Sequence, residues 1–237
     1  MLSIVMPAHN ETEMLESSVR EVTSGLRSAG RPFELLVVEN GSSDTTLEIA
    51  RQLAAELPEV EVDTLPRPDY GKALRAGLLA ARGVVVVTFD VDYYDLDFLA
   101  DALDRLERAG DPADIVVASK RAAGAHDRRP WPRRLVTAGF GGLLRLGFGL
   151  RVTDTHGMKV LRRAAVEPLA RRCRFDADLF DTELVLRAER AGLVAVELPV
   201  AVDERRPPRT PIWRRVPRTL VGLVRLRVAL WRDREPR

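Results

Sequence analysis

Six short apolar runs rich in valine, isoleucine and leucine set the rhythm of this chain: residues 3–6, 34–38, 60–65, 84–89, 115–118 and 193–198. Each of the first four leads into a segment with helical spacing, as Leu47, Ala50, Leu53 and Ala54 do after the second. Strands that are apolar on both sides must be covered on both sides, and strand–helix alternation joins such strands in parallel. The pattern specifies an α/β fold with a mostly parallel sheet flanked by helices. Ligands of such sheets lie beyond the carboxyl ends of the strands. The polar residues that end the runs therefore become the candidate site: His9-Asn10-Glu11, Glu39-Asn40-Gly41 and Asp90-Val91-Asp92.

The 237 residues, 46% of them hydrophobic, suffice for one substantial core. Lys+Arg 37 against Asp+Glu 35 leaves a formal net charge of +2, so no whole-chain field points to nucleic acid. The cations, nearly all arginine, gather at 128–134 and 205–237. The single cysteine, Cys173, excludes an internal disulfide and a cysteine-based zinc site, and reads as a buried thiol in a reducing compartment. His126 and His156 have no second histidine or cysteine at ligand spacing and read as structural. No signal peptide is expected, because Leu2-Ser3-Ile4-Val5 follows Met1 with no basic n-region or cleavage site, and no membrane span, because arginines interrupt both long apolar stretches. After about residue 120 the alternation gives way to a basic loop (121–134), a glycine-rich apolar stretch (135–150), a turn at Asp154-Thr155-His156-Gly157 and a helix around 181–191. The simplest division is an α/β domain over 1–205 and a basic extension over 206–237.

Asp90 and Asp92 stand where a buried strand emerges. Two hard oxygen donors there suit Mg²⁺ or Mn²⁺, which would bridge a diphosphate and neutralise it as it leaves. Solvated acids in a strand-end turn are the ordinary alternative. Asp95 and Asp97 either extend a cation site or mark a helix N-terminus. Glu39 is placed to hydrogen-bond a base or ribose, while Gly41 permits a tight turn and Ser43 or Asp44 can cap the next helix. Lys72 and Arg75, three apart on one helix face, can meet phosphate oxygens or simply be solvated.

Taken in order, Val5-Met6-Pro7-Ala8-His9-Asn10-Glu11, Val37-Val38-Glu39-Asn40-Gly41-Ser42-Ser43-Asp44, Gly71-Lys72-Ala73-Leu74-Arg75-Ala76-Gly77, Asp90-Val91-Asp92, Asp154-Thr155-His156-Gly157-Met158-Lys159 and Phe180-Asp181-Thr182-Glu183-Leu184 form a set. This set resembles the family 2 inverting glycosyltransferases with the GT-A (Rossmann-like) fold. Within them it is most similar to the dolichyl- and polyprenyl-phosphate mannosyl- and glucosyltransferases, over residues 2–205. The resemblance implies transfer of a hexose from a GDP- or UDP-sugar to a lipid phosphate, with Mg²⁺ or Mn²⁺ as cofactor. It would line the nucleoside pocket with Pro7, Asn10, Glu11 and Glu39, and set Lys72 and Arg75 near the diphosphate or its loop. Asp92 would bind the metal, with Asp90 beside it contacting ribose or sugar. Asp154 and Gly157 would shape the sugar and acceptor side, and Arg205 would reach the acceptor phosphate or the donor. Two departures stand out: Glu39-Asn40-Gly41-Ser42 where the family often has Asp-Asp-Gly-Ser, and Tyr93-Tyr94-Asp95-Leu96-Asp97 where it usually has Leu-Gln-Asp/His-Pro-Pro.

A hydroxyl acceptor needs a base, whereas a phosphate monoester is already ionised. Asp181 and Glu183 lie two apart on one helix, so both cannot face one site; Glu183 is preferred and Asp181 stays open. Near the C-terminus, Leu220, Val224, Val228 and Trp231 share a helical face, with Arg218, Arg225 and Arg232 opposite and Arg227 among the apolar residues. A basic amphipathic helix ending in tryptophan fits an in-plane membrane anchor; packing on the catalytic domain is the alternative. With 135–150, preceded by Arg128, Arg129, Arg133 and Arg134, it could cradle an anionic lipid phosphate. The expectation is a peripheral enzyme on the cytoplasmic face of a membrane, with room for a membrane-embedded partner subunit. The competing readings are a same-fold transferase acting on a soluble or polysaccharide hydroxyl and a non-catalytic nucleotide-binding, membrane-associated protein.

Overall fold

A computed structural model describes residues 1–110, 112–122, 124–127, 131–202 and 212–232. In chain order the elements are β1 (Leu2–Ala8), α1 (Leu15–Ser28), β2 (Phe33–Asn40), α2 (Thr46–Glu56), β3 (Val60–Leu65), α3 (Tyr70–Ala80), β4 (Val85–Thr88) and α4 (Leu96–Glu107). Then follow β5 (Ile115–Ser119), β6 (His126–Asp127), α5 (Trp131–Phe148), β7 (Lys159–Arg162) and α6 (Arg163–Arg172). A 3₁₀ turn (Ala177–Leu179), α7 (Phe180–Arg190), β8 (Ala195–Pro199), β9 (Ala201–Val202) and α8 (Ile212–Arg232) complete the described chain.

Seven strands form one sheet in the order β3-β2-β1-β4-β7-β5-β8, and β6 pairs with β9 separately. All six apolar runs are strands of the large sheet. β1 pairs in parallel with β2 and β4, β2 with β3, and β5 with β8. β7 runs antiparallel between β4 and β5. Every residue of β1 and β2 is buried, as strands covered on both faces require. One face of the sheet packs on Leu15, Val19 and Val22 of α1 and Phe98, Leu99 and Leu103 of α4. The other packs on Leu74 and Leu78 of α3, Val166 of α6 and Phe180 and Leu184 of α7.

A third cluster joins Leu144 of α5, Val185 and Leu186 of α7, and Leu223, Leu226 and Leu230 of α8. The glycine-rich stretch is thus helical, and Gly141 explains part of its composition: a Cβ there would lie 2.9 Å from the Thr153 carbonyl oxygen. No helix among the described residues is long and apolar enough to cross a membrane.

Candidate active site

β4 delivers Asp90 and Asp92 on a two-residue turn. Asp90 and Tyr93 exchange backbone hydrogen bonds (3.1 and 3.2 Å), which puts Val91 and Asp92 at the tip. Val91 is buried and its carbonyl accepts the Ser18 hydroxyl at 2.7 Å, anchoring the turn to α1. Asp92 is left half-buried at the carboxyl edge of the sheet, and its carboxylate accepts no hydrogen bond from any described residue. Asp95 caps α4 by accepting the Phe98 N–H at 2.9 Å, and Asp97 is exposed in that helix's first turn. Those two acids serve the helix.

Three elements converge on Asp90. The Tyr70 hydroxyl, on the first residue of α3, donates to Asp90 Oδ1 at 2.7 Å. Lys159, the first residue of β7, is buried; its Nζ contacts Asp181 Oδ1 at 2.9 Å and donates to the Gly157 carbonyl at 2.8 Å. Burial pushes the Asp90 carboxyl up to about 6; the Tyr70 hydrogen bond and Lys159 oppose the rise, while the charges of Asp92 and Asp181 add to it. Burial first, then Asp90 and Asp181, hold the Tyr70 phenol well above its ordinary range, so it remains a donor. Three carboxylates, Asp90, Asp92 and Asp181, act on Tyr70 while one ammonium meets Asp181, which makes this edge electronegative.

The loops after β1 and β2 close on each other. Asn10 adopts a positive φ of 55°, a conformation that asparagine tolerates better than most residues. Its Oδ1 accepts the Ser43 N–H at 2.9 Å, and its own N–H donates to the Ser42 hydroxyl at 3.0 Å. The Glu11 N–H donates to Thr46 Oγ1 at 2.7 Å, and buried Glu39 accepts the Ser42 N–H at 2.5 Å. Pro7 is buried in β1 opposite Val38. Asp44 accepts from the backbone and hydroxyl of Thr46; burial would raise its carboxyl, but these bonds and those from Thr12 outweigh it and hold it at about 2. Ser43 is not the cap, since Asp44 meets the first N–H of α2.

Asn40 Oδ1 accepts the Asp69 N–H at 2.7 Å, and Asp69 caps α3 while also accepting the Ala177 N–H at 2.8 Å. Gly71 is required at this junction, because a Cβ there would stand 2.5 Å from the Ala177 carbonyl oxygen. Lys72 is exposed, with Nζ 3.8 Å from Asp176 and 4.0 Å from Asp69. Arg75, one turn on, donates to the Arg171 carbonyl at the end of α6 (3.2 Å), so it braces the helices around the site.

On the other flank, Asp154 is buried; its Oδ1 accepts the His156 N–H at 3.0 Å, and its Oδ2 has no hydrogen-bond partner among the described residues. Glu197 Oε1 accepts the Thr153 and Asp154 N–H groups at 2.7 and 3.1 Å, fixing this turn to β8. Gly157 has no room for a Cβ, which would approach the Ala118 carbonyl oxygen to 2.1 Å. The two acids of α7 part company. Asp181 faces Lys159, whereas Glu183 is fully buried and spends both oxygens elsewhere. Its Oε2 accepts the Arg174 and Phe175 N–H groups at 2.8 Å each, and its Oε1 accepts from Arg187 at 2.8 Å. Arg134 is exposed on α5, and Arg205 lies outside the described residues.

Tyr70 and Lys159 escaped the sequence reading. A signal existed: lysine occurs only at 72, 120 and 159, each at the carboxyl edge of the sheet, with Lys120 lying 5.4 Å from the Tyr93 ring centre.

A mostly parallel seven-stranded sheet flanked by helices, with two carboxylates turned out beyond β4, is a GT-A fold. The chain belongs to glycosyl transferase family 2, whose profile matches residues 3–169. It is 34% identical over 204 residues to the glycosyltransferase AglD of Haloferax volcanii, covering 84% of this chain and 32% of that one; it therefore spans about a third of that relative's length. It is equally similar, 34% over 209 residues and 86% of each chain, to an uncharacterized glycosyltransferase of Mycobacterium tuberculosis. A dolichyl-phosphate beta-glucosyltransferase of Trichomonas vaginalis is 28% identical over 214 residues, 86% of this chain and 66% of the relative. Solved structures that share the fold include two sugar transferases. Glucosyl-3-phosphoglycerate synthase from M. tuberculosis, in complex with Mn²⁺, UDP and phosphoglyceric acid, gives a TM-score of 0.69 at 23% identity, covering 96% of this chain and 78% of that one. A Pyrobaculum calidifontis mannosyltransferase in complex with GDP-Man and Mn²⁺ gives 0.65 at 22% identity, covering 100% and 65%.

Proposed function

We propose that this glycosyltransferase moves a hexose, with inversion, from a nucleotide-sugar to a polyprenyl- or dolichyl-type phosphate, using Mg²⁺ or Mn²⁺ at Asp92 and Asp90. The observation that carries the acceptor assignment is the state of the two α7 acids. Asp181 is already matched by the buried ammonium of Lys159, and Glu183 is enclosed by the Arg174 and Phe175 N–H groups and the Arg187 guanidinium. Neither is free to take a proton from a hydroxyl. A phosphate monoester needs no base, because its nucleophilic oxygen is ionised at neutral pH. The dolichyl-phosphate relative supports the same acceptor class.

The residues fit a hard divalent cation. Asp92 offers a carboxylate with no described hydrogen bond, and Asp90 is fixed through one oxygen by Tyr70. The remaining ligands would come from diphosphate oxygens and water. When bound, the ion neutralises charge that develops on the leaving diphosphate. The chain's own residues do the rest. Asn10 and Glu39 hold the loops that, with Pro7 and Glu11, form the nucleoside side. Lys72 faces the diphosphate, and Arg75 keeps α3 against α6. Lys159 fixes Asp181 beside Asp90. Asp154 and Gly157 shape the acceptor side, where Arg134 and Arg205 are the proposed phosphate contacts. A hydroxyl acceptor is the second reading, favoured by the unpartnered Asp154 Oδ2.

Incubation with Mn²⁺, polyprenyl phosphate and labelled UDP- and GDP-sugars tests the proposal. Label entering the organic-extractable product is expected; label appearing only in water-soluble or polymeric product would transfer the assignment to the hydroxyl reading. Asp92→Ala should abolish metal-dependent donor binding in calorimetry, and unchanged affinity for donor plus metal would refute the metal assignment.

A further inference from the structure

α8 carries two apolar faces, and the described residues cover only one of them. Leu223, Leu226 and Leu230 are buried against α5 and α7, and Gly222 lies against Leu179. Turned away from that seam, Val224 and Trp231 are 66% and 67% exposed, with Leu220, Val221 and Val228 also exposed. α5 repeats the arrangement: Leu144 is buried in the seam, while Leu135 and Leu146 are 63% and 90% exposed. The helices abut at the seam, where the Arg227 guanidinium lies 5.7 Å from the Phe148 ring centre. Monomeric domains seldom leave two neighbouring helices with large unpartnered apolar residues.

Charge and aromatic placement say what covers them. Neither α5 nor α8 contains a single aspartate or glutamate, in a chain whose Lys+Arg (37) and Asp+Glu (35) nearly balance overall. Exposed Arg225 and Arg232 flank the outer stripe of α8, and exposed Arg134 and Arg145 stand on α5. All three tryptophans of the chain, Trp131, Trp213 and Trp231, belong to these two helices. Leucine and valine bordered by arginine, with exposed Trp231 at the end of α8, match a bilayer interface, where apolar side chains enter the acyl boundary and guanidinium groups stay among anionic headgroups. A second copy of the chain fits poorly, because a two-fold contact would set these acid-free faces against each other, arginine to arginine.

We propose that the outer faces of α5 and α8 together form a docking surface for an anionic lipid bilayer, on which the enzyme rests without crossing it. The surface is built into the catalytic domain. α7 has Val185 and Leu186 in the same seam and carries Asp181 toward the site, so a single helix separates bilayer from active site. This inference deepens the lipid-phosphate reading but rests on the helices alone.

The test uses the full chain and vesicles of phosphatidylcholine with and without phosphatidylglycerol, free of acceptor. Because every tryptophan lies on the two helices, intrinsic fluorescence reports on them directly. The emission should shift to the blue and be quenched by brominated lipid, in anionic vesicles and less so at high salt. Each arginine removed should weaken binding about fivefold, the equivalent of about 1 kcal/mol per basic residue near an anionic surface. The double substitution Leu146→Asp with Val224→Asp should lower partitioning at least tenfold; both residues are exposed, so circular dichroism and the urea midpoint should stay at wild-type values. Vesicle-insensitive fluorescence, or wild-type partitioning by that variant, overturns the proposal. So does a dimer in light scattering that the same substitutions dissolve, which would assign the face to a second copy. Donor binding with Mn²⁺, measured on the same variant, reports on the active site separately, so either reading can fail while the other stands.

Discussion

Replacing Lys159 by methionine tests the electrostatic design of the site through stability alone. The ammonium and its partner Asp181 are 1% and 5% exposed at the side chain and 2.9 Å apart. Removing one member of a buried pair leaves the other's charge without water or counter-ion, a cost of roughly 3–5 kcal/mol. Here the stranded carboxylate also meets the charge of Asp90, which places Lys159→Met at the upper part of that range. For a chain of this size each kcal/mol moves the midpoint by roughly 2–4 °C, so about 4–5 kcal/mol should lower it by about 8–20 °C. Asp181→Asn in the same background should restore most of the loss, because an uncharged amide no longer needs the ammonium. A double-mutant cycle should thus give at least about 2 kcal/mol of coupling. The measurement is urea and thermal unfolding in EDTA without nucleotide, which separates folding from the loss of donor binding. A Lys159→Met cost below about 1 kcal/mol, the range of exposed pairs, would refute the reasoning. Additive single effects would refute it equally.

Glu183→Gln should destabilise by roughly 3–5 kcal/mol, because it strands the buried Arg187 charge, while specific activity per folded molecule changes little; a selective collapse of turnover at unchanged stability would instead make Glu183 a catalytic acid or base. The Cys173 thiol is pushed up to about 12, by burial first and then by the Glu183 charge. The reactive thiolate is then about one part in ten thousand at pH 8, so the native protein should resist alkylation and react only when unfolded in urea. In α8, Leu226→Ala should cost roughly 2–5 kcal/mol, whereas Val224→Ala on the outer face should stay within about 0.5 kcal/mol, as unfolding midpoints will show.

The parallel strands could be read from the chain because burial on both faces leaves an unbroken apolar run, as in 34–38 and 84–89. β7 could not be read. It is four residues long, begins with Lys159 and ends with Arg162, and its charged start is buried only because Asp181, 22 positions later, meets it. α5 was hidden by its glycines, which weaken any helical reading. The candidate site divides on the same lines. Asp90 and Asp92 are legible because strand ends point to ligands, and Asn10 and Glu39 because they stand just after β1 and at the end of β2. The choice between Asp181 and Glu183 was not legible. Two residues on a helix differ by about 200° in direction, and the phase is set by Lys159 on one side and Arg187 on the other.

The Tyr93-Tyr94 segment, where the chain departs most from the family pattern, bears on whether the site remains competent. A departure that disabled the turn would show in its backbone, yet Tyr93 closes it through both hydrogen bonds to Asp90. Tyr94 reaches outward: its hydroxyl donates to Glu21 of α1 at 2.6 Å, and its ring stands 6.3 Å from Phe89. The Tyr93 ring lies beneath Lys120, so one of the three lysines of the chain comes to the flank of the carboxylate turn. Both aromatic residues are absorbed by contacts with neighbouring elements, and neither displaces Asp90 from Tyr70. What they alter is the wall beside the turn, where the transferred sugar would sit in the proposed reaction. Divergence confined to that wall bears on which donor is accepted in the proposed reaction, and leaves Asp90 and Asp92, the proposed metal ligands, in place.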